Sequence, residues 1–155
     1  MAAALANWQL NEAAGARTMV DSSGNALNGT IGTHVQTGIA LSGGGTGYRF
    51  PYIRPNTPPA DPEHLVVVPH NTRLNPGSGN FAVEFRMRTT HSFGNIIQKG
   101  QAGSKGGYFK FQQPSGKVSA CSGARWAAAR PRPGRRSGST TATGTRSGAS
   151  ARPRA

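Results

Sequence analysis

Acidic side chains are the scarcest chemistry in this chain. Five carboxylates, Glu12, Asp21, Asp61, Glu63 and Glu84, are spread through 155 residues. Glycoside hydrolysis needs two carboxyls flanking one bond, one to protonate the leaving oxygen and one to attack or to activate water. No such cluster is written here. Asp61 and Glu63 fall in a proline-rich stretch, and Glu84 lies on the polar face of a strand pattern, where cross-strand charge pairing is the simpler role, so no catalytic residue is assigned. A single cysteine, Cys121, excludes an internal disulfide and a cysteine metal cluster. His34, His64, His70 and His91 are scattered, with no spacing that sets two on one face, so no metal ligand is assigned either. No apolar run is long enough to span a bilayer. Met1 to Leu5 lacks the basic region and hydrophobic stretch of an export signal.

A sustained helical period is also missing. Glycine (22) and proline (11) are abundant and charged residues make up only 15%, which points to an all-β chain with many turns. Antiparallel strands are expected from about Ala6 to Lys117. Ala6, Trp8 and Leu10 alternate with Asn7, Gln9 and Asn11, as in a strand with one apolar face anchored by Trp8. Thr18-Met-Val20 is a short extended piece, and Asp21-Ser-Ser-Gly-Asn25 is a turn. A calcium loop is the sharper reading of that turn, but the spacing lacks the distal acidic ligand, so no cofactor is assigned and calcium is unsupported. Asn28-Gly-Thr30 is read as a polar turn rather than a glycosylation site. Gly38-Ile-Ala-Leu41 and Gly47-Tyr-Arg-Phe50 flank a glycine loop as two short strands. Five prolines between Pro51 and Pro62 mark surface loop, after which His64-Leu-Val-Val-Val-Pro69 returns to strand.

The segment from Asn80 to Phe111 organises the rest. Phe81, Val83, Phe85 and Met87 share one face of an extended chain, and Glu84, Arg86 and Arg88 share the other. Asn95-Ile-Ile-Gln-Lys99 and Gly106-Gly-Tyr-Phe-Lys-Phe-Gln112 read as two more strands, completing a meander that needs a partner layer to bury its apolar face.

Five motifs in order, Asn7-Trp-Gln-Leu-Asn-Glu12, Asp21-Ser-Ser-Gly-Asn25 with Asn28-Gly-Thr30, His64-Leu-Val-Val-Val-Pro69, Leu74-Asn-Pro-Gly77 and Phe81-Ala-Val-Glu-Phe85, resemble the bacterial, commonly actinobacterial, laminin G-like domains of the concanavalin A-like lectin and glucanase superfamily. The resemblance covers about residues 4 to 119. It implies an antiparallel two-sheet jelly-roll sandwich in a secreted or cell-surface protein, and a binding module for a glycan or an extracellular protein. Tyr48, Tyr52 and Phe93 are the aromatics that could stack on such a ligand. Lys99, Lys105 and Lys110 could meet an acidic glycan, although solubilising charge is the plainer role.

The sandwich is incomplete as written. Residues 1–120 read as its N-terminal part, and residues 121–155 as a separate basic, low-complexity tail. The tail holds eight of the 18 Lys/Arg and no acidic residue, and it lacks Val, Ile, Leu, Met, Phe and Tyr, with Trp126 its one large apolar side chain. Such a stretch is expected to be disordered. It would pass for a nucleic-acid-binding element, which gives the alternative function. A shifted reading frame explains it better. Joining the third base of each codon to the first two of the next permits Leu-Phe-Arg-Gly from Cys121 onward. From Gly138 to Arg154 it permits Arg-Leu-Asn-Asp-Gly-Asn-Trp-His-Thr-Val-Arg-Cys-Glu-Arg-Thr-Ala-Thr-Gly. Both runs resemble the strands that follow in laminin G-like domains. The expectation is therefore a domain interrupted by loss of one base near codon 120, with Cys121 an accident of the frame and nucleic acid not expected as a partner.

Overall fold

The computed structural model describes residues 4–54, 63–76, 81–101 and 108–122. Its strands pair antiparallel throughout, so the all-β expectation is met at the level of class. The sheets are small, and the chain divides into two compact units, Met1–Asn75 and Pro76–Ala155.

In the first unit β1 (Thr18–Met19), β2 (Gly29–Ile31) and β5 (Val66–Val67) form one sheet with β2 in the middle, Thr30 facing Thr18 on one side and Val67 on the other. Met19, Ile31 and Val35 are its buried centre. Trp8, Leu10, Ala16, Tyr48, Val66 and Val68 pack around them. Packing is tight enough to explain Gly29, because a Cβ there would lie 2.9 Å from the Met19 Cε and 3.1 Å from a Val66 methyl. β3 (Gln36–Ala40) and β4 (Thr46–Arg49) make a separate hairpin, closed by Leu41 N–H donating to the Gly45 carbonyl at 3.1 Å. Gly38, at a bulge in β3 with φ +68°, has Ala14 so close that an added Cβ would meet its nitrogen at 2.7 Å.

The expected first strand, Ala6 to Leu10, is reduced to one bridge, Trp8 opposite Asp21. Two local choices end it. The Asn7 N–H donates to the Asp21 side chain instead of a backbone carbonyl, and Leu10 turns to φ 55°, which breaks the extended run. The stretch His64 to Pro69 contributes only Val66 and Val67 to the sheet, although Gly32 N–H to Leu65 O and His34 N–H to Glu63 O, each 2.8 Å, prolong the contact.

In the second unit β6 (Asn95–Lys99), β7 (Phe109–Gln112) and β8 (Ser119–Ser122) pair in that order. Two expected strands are therefore present. The third is not the expected one. Residues 81–89 join no sheet, and β8, reached through the 3-10 turn Pro114–Gly116, takes the third place beside β7. Alternation in 81–88 survives without pairing: Phe81, Val83, Phe85 and Met87 are half-buried, while Ala82, Glu84, Arg86 and Arg88 are exposed. Phe81 packs against Phe109 with ring centroids 5.5 Å apart, and Phe85 meets Phe111 edge-on at 5.7 Å. The segment thus lies along the apolar face of the sheet. β8 also carries the sheet past the expected limit of Lys117, to Ser122; the rest of the tail is outside the described residues.

Candidate binding surface

Beyond Arg49 the chain leaves the β3–β4 hairpin but keeps a two-residue period. Pro51 and Ile53 are half-buried, while Phe50, Tyr52 and Arg54 are exposed. Tyr48, Phe50 and Tyr52 therefore follow one another at positions i, i+2 and i+4. Phe50 is 49% exposed and Tyr52 57%, and the Tyr48 and Phe50 rings lie 6.4 Å apart at a tilt of 51°. An extended backbone repeats such a row roughly every 7 Å.

Tyr48 anchors the row. Its ring packs on the core of the first unit and its hydroxyl donates to Glu12 Oε2, while Glu12 Oε1 accepts the Val20 N–H at 2.7 Å. Partial burial works to raise the Glu12 pKa, but the Tyr48 hydroxyl and the Val20 N–H outweigh it and hold the carboxyl below its ordinary range. Burial and the Glu12 carboxylate together push the Tyr48 hydroxyl well above its ordinary range. The pair presents a fixed ring and a carboxylate acceptor at one end of the row, with Arg54 further along the chain as a donor.

Of the three aromatics picked out in the sequence, Tyr48 is thus half-buried and structural, and Tyr52 is exposed beside it in the chain. Phe93 is also exposed (51%), in the turn that precedes β6 of the second unit. Phe50 was missed. Its signal was present, since Tyr48-Arg-Phe-Pro-Tyr52 repeats an aromatic at every second residue.

The Asp21 turn holds no open ligand position. Asp21 Oδ1 accepts the N–H groups of Asn7 and Ser23, both at 2.9 Å, and Oδ2 accepts the Ser23 hydroxyl at 2.8 Å and the Leu27 N–H at 3.0 Å. Burial alone would raise its pKa; four donors reverse that and depress it far below the carboxylate range. The histidines are less scattered than expected, because pairing of β2 with β5 brings His34 to His64 with ring centroids 4.8 Å apart and sets His34 Nδ1 3.9 Å from Glu63 Oε2. Among the described residues, no group of three or more His, Cys, Asp or Glu side chains is arranged to hold a metal ion. Nor, among them, is any helix long and apolar enough to cross a membrane.

No family model, curated protein or solved structure matches this chain.

Proposed function

We propose that the chain is the N-terminal part of a non-catalytic, laminin G-like binding module of jelly-roll design, exported in its intact form, whose reading frame slips near codon 120. Its ligand is a glycan, held on the outward faces of Phe50 and Tyr52. The observation that carries the ligand class is this aromatic row. Sugar rings have apolar C–H faces and hydroxyl edges, and the row offers the exposed aromatic faces of Phe50 and Tyr52 next in the chain to the Tyr48–Glu12 pair. The frame reading draws support from β8. That strand continues through Cys121 and Ser122, where the alternative frame permits leucine and phenylalanine, residue types that suit a strand.

Binding to a polysaccharide panel, read by retardation in affinity electrophoresis, tests the ligand class on the full chain and on a frame-restored version. Phe50→Ala and Tyr52→Ala should each weaken retention by roughly tenfold, the loss expected for an aromatic anchor. Retention unchanged in the double variant contradicts the assignment. A salt-dependent DNA shift that disappears on deleting residues 121–155 would instead establish the basic tail as a nucleic-acid element.

A further inference from the structure

Residues 81–88 have the pattern of a strand without a strand's partner. Their side chains alternate between half-buried and exposed, yet among the described residues their backbone forms no hydrogen bond. An extended segment in this state is a template for another strand, and strand addition is a recurring mode of protein association. Its own sequence identifies which strand fits. Antiparallel self-pairing centred on Phe85 sets Glu84 opposite Arg86 of the second copy and Arg86 opposite that copy's Glu84. Val83 then faces Met87, and Phe85 faces its own equivalent. Opposed side chains in an antiparallel pair stand about 4.5–5.5 Å apart at Cβ, within reach of an ion pair. Other registers are poorer on charge: centring on Val83 pairs no opposite charges, centring on Glu84 opposes two glutamates, centring on Arg86 opposes two arginines between its two Glu84–Arg88 pairs, and centring on Met87 sets Arg86 against Arg88 twice. A half-step register would mix the apolar and charged faces.

We propose that residues 81–88 form the edge of a two-fold symmetric homodimer, joined by antiparallel pairing about Phe85 and held in register by two reciprocal Glu84–Arg86 ion pairs. The interface is closed, because the one edge serves both copies.

Sedimentation of the full chain over a concentration series, with reductant present so that Cys121 cannot cross-link, reads the assembly directly. A monomer–dimer equilibrium is expected. Glu84→Arg and Arg86→Glu should each weaken it by about tenfold, since each turns two attractive pairs into two repulsive ones. The double variant Glu84→Arg/Arg86→Glu should restore it, and added salt should weaken the unmodified dimer. Both altered positions, Glu84 and Arg86, are exposed, so the variants leave the packing of Phe81 and Phe85 on the sheet intact. A monomer at every concentration, open-ended assembly, single variants that associate normally, or a double variant as weak as the single ones would each overturn the proposal.

Discussion

Asp21 does more for the first unit than any other polar residue, because one carboxylate closes a turn and ties two separate backbone segments to it. Asparagine in its place keeps the shape but turns one acceptor oxygen into a donor aimed at other donors. Asp21→Asn should therefore lower the thermal midpoint, and a midpoint equal to that of the unmodified chain would show the turn to be held by other means. The same contacts set the pH response. The folded Asp21 pKa is depressed from an ordinary 3.8, so its contribution is complete above that value and is lost as the pH falls below it. Glu12 acts in the same direction. Tyr48 is raised from 10.0, so its contribution is complete below pH 10 and is lost as the pH rises further. Thermal midpoints across the pH range should accordingly fall at both ends, and replacing Tyr48 by Phe should remove its alkaline contribution and shrink the Glu12 share of the acid arm while leaving the Asp21 share. The role of Asp21 was legible in the sequence as a turn. The identity of its four donors was not, because Asn7 and Leu27 reach it only once the chain has folded back.

Among the elements, the strands that were legible are those whose partner follows closely. Asn95–Lys99 and Phe109–Gln112 alternate in sequence and find each other across a short connection. Phe81 to Met87 alternates just as well and forms no ladder, because alternation specifies a buried face and says nothing about whether a neighbouring backbone is there to pair with. The first strand failed for a different reason, a side chain outcompeting a backbone acceptor at Asn7. Packing in both units rests on few side chains, so truncations there should be costly. Phe111, 2% exposed and in edge contact with Phe85 and Phe109, should lose roughly 3–5 kcal/mol on replacement by Ala. Ile31, also 2% exposed, should lose about 2–5 kcal/mol. Denaturant unfolding of the two variants measures both, and losses below 1 kcal/mol would mean that these faces are not packed as described.

At the scale of the whole molecule, the two parts of the sequence, residues 1–120 and 121–155, obey different rules. Up to Ala120 the residues are those of a β-protein, with apolar faces, turn glycines and five carboxylates against ten basic residues. After it Val, Ile, Leu, Met, Phe and Tyr vanish while glycine, serine, threonine, alanine and arginine persist, as translation of a GC-rich gene in a displaced frame would produce. The aromatic row and the unpaired edge both belong to the first part. On the proposed frame slip, restoring the frame should supply further strands in place of the tail, and so a monomer rather than a pair joined at residues 81–88.

The nucleotide sequence of the locus tests this most directly, because the alternative frame makes demands that the protein sequence does not. Asparagine after leucine requires the Ser139 codon to begin TC and end in A; tryptophan before histidine requires the Thr143 codon to end in T; glutamate after cysteine requires the Ser150 codon to begin AG. A slipped laminin G-like frame predicts all three together. Finding TCC at Ser139, ACG at Thr143 or TCG at Ser150 would contradict it and leave the arginine-rich tail as native sequence.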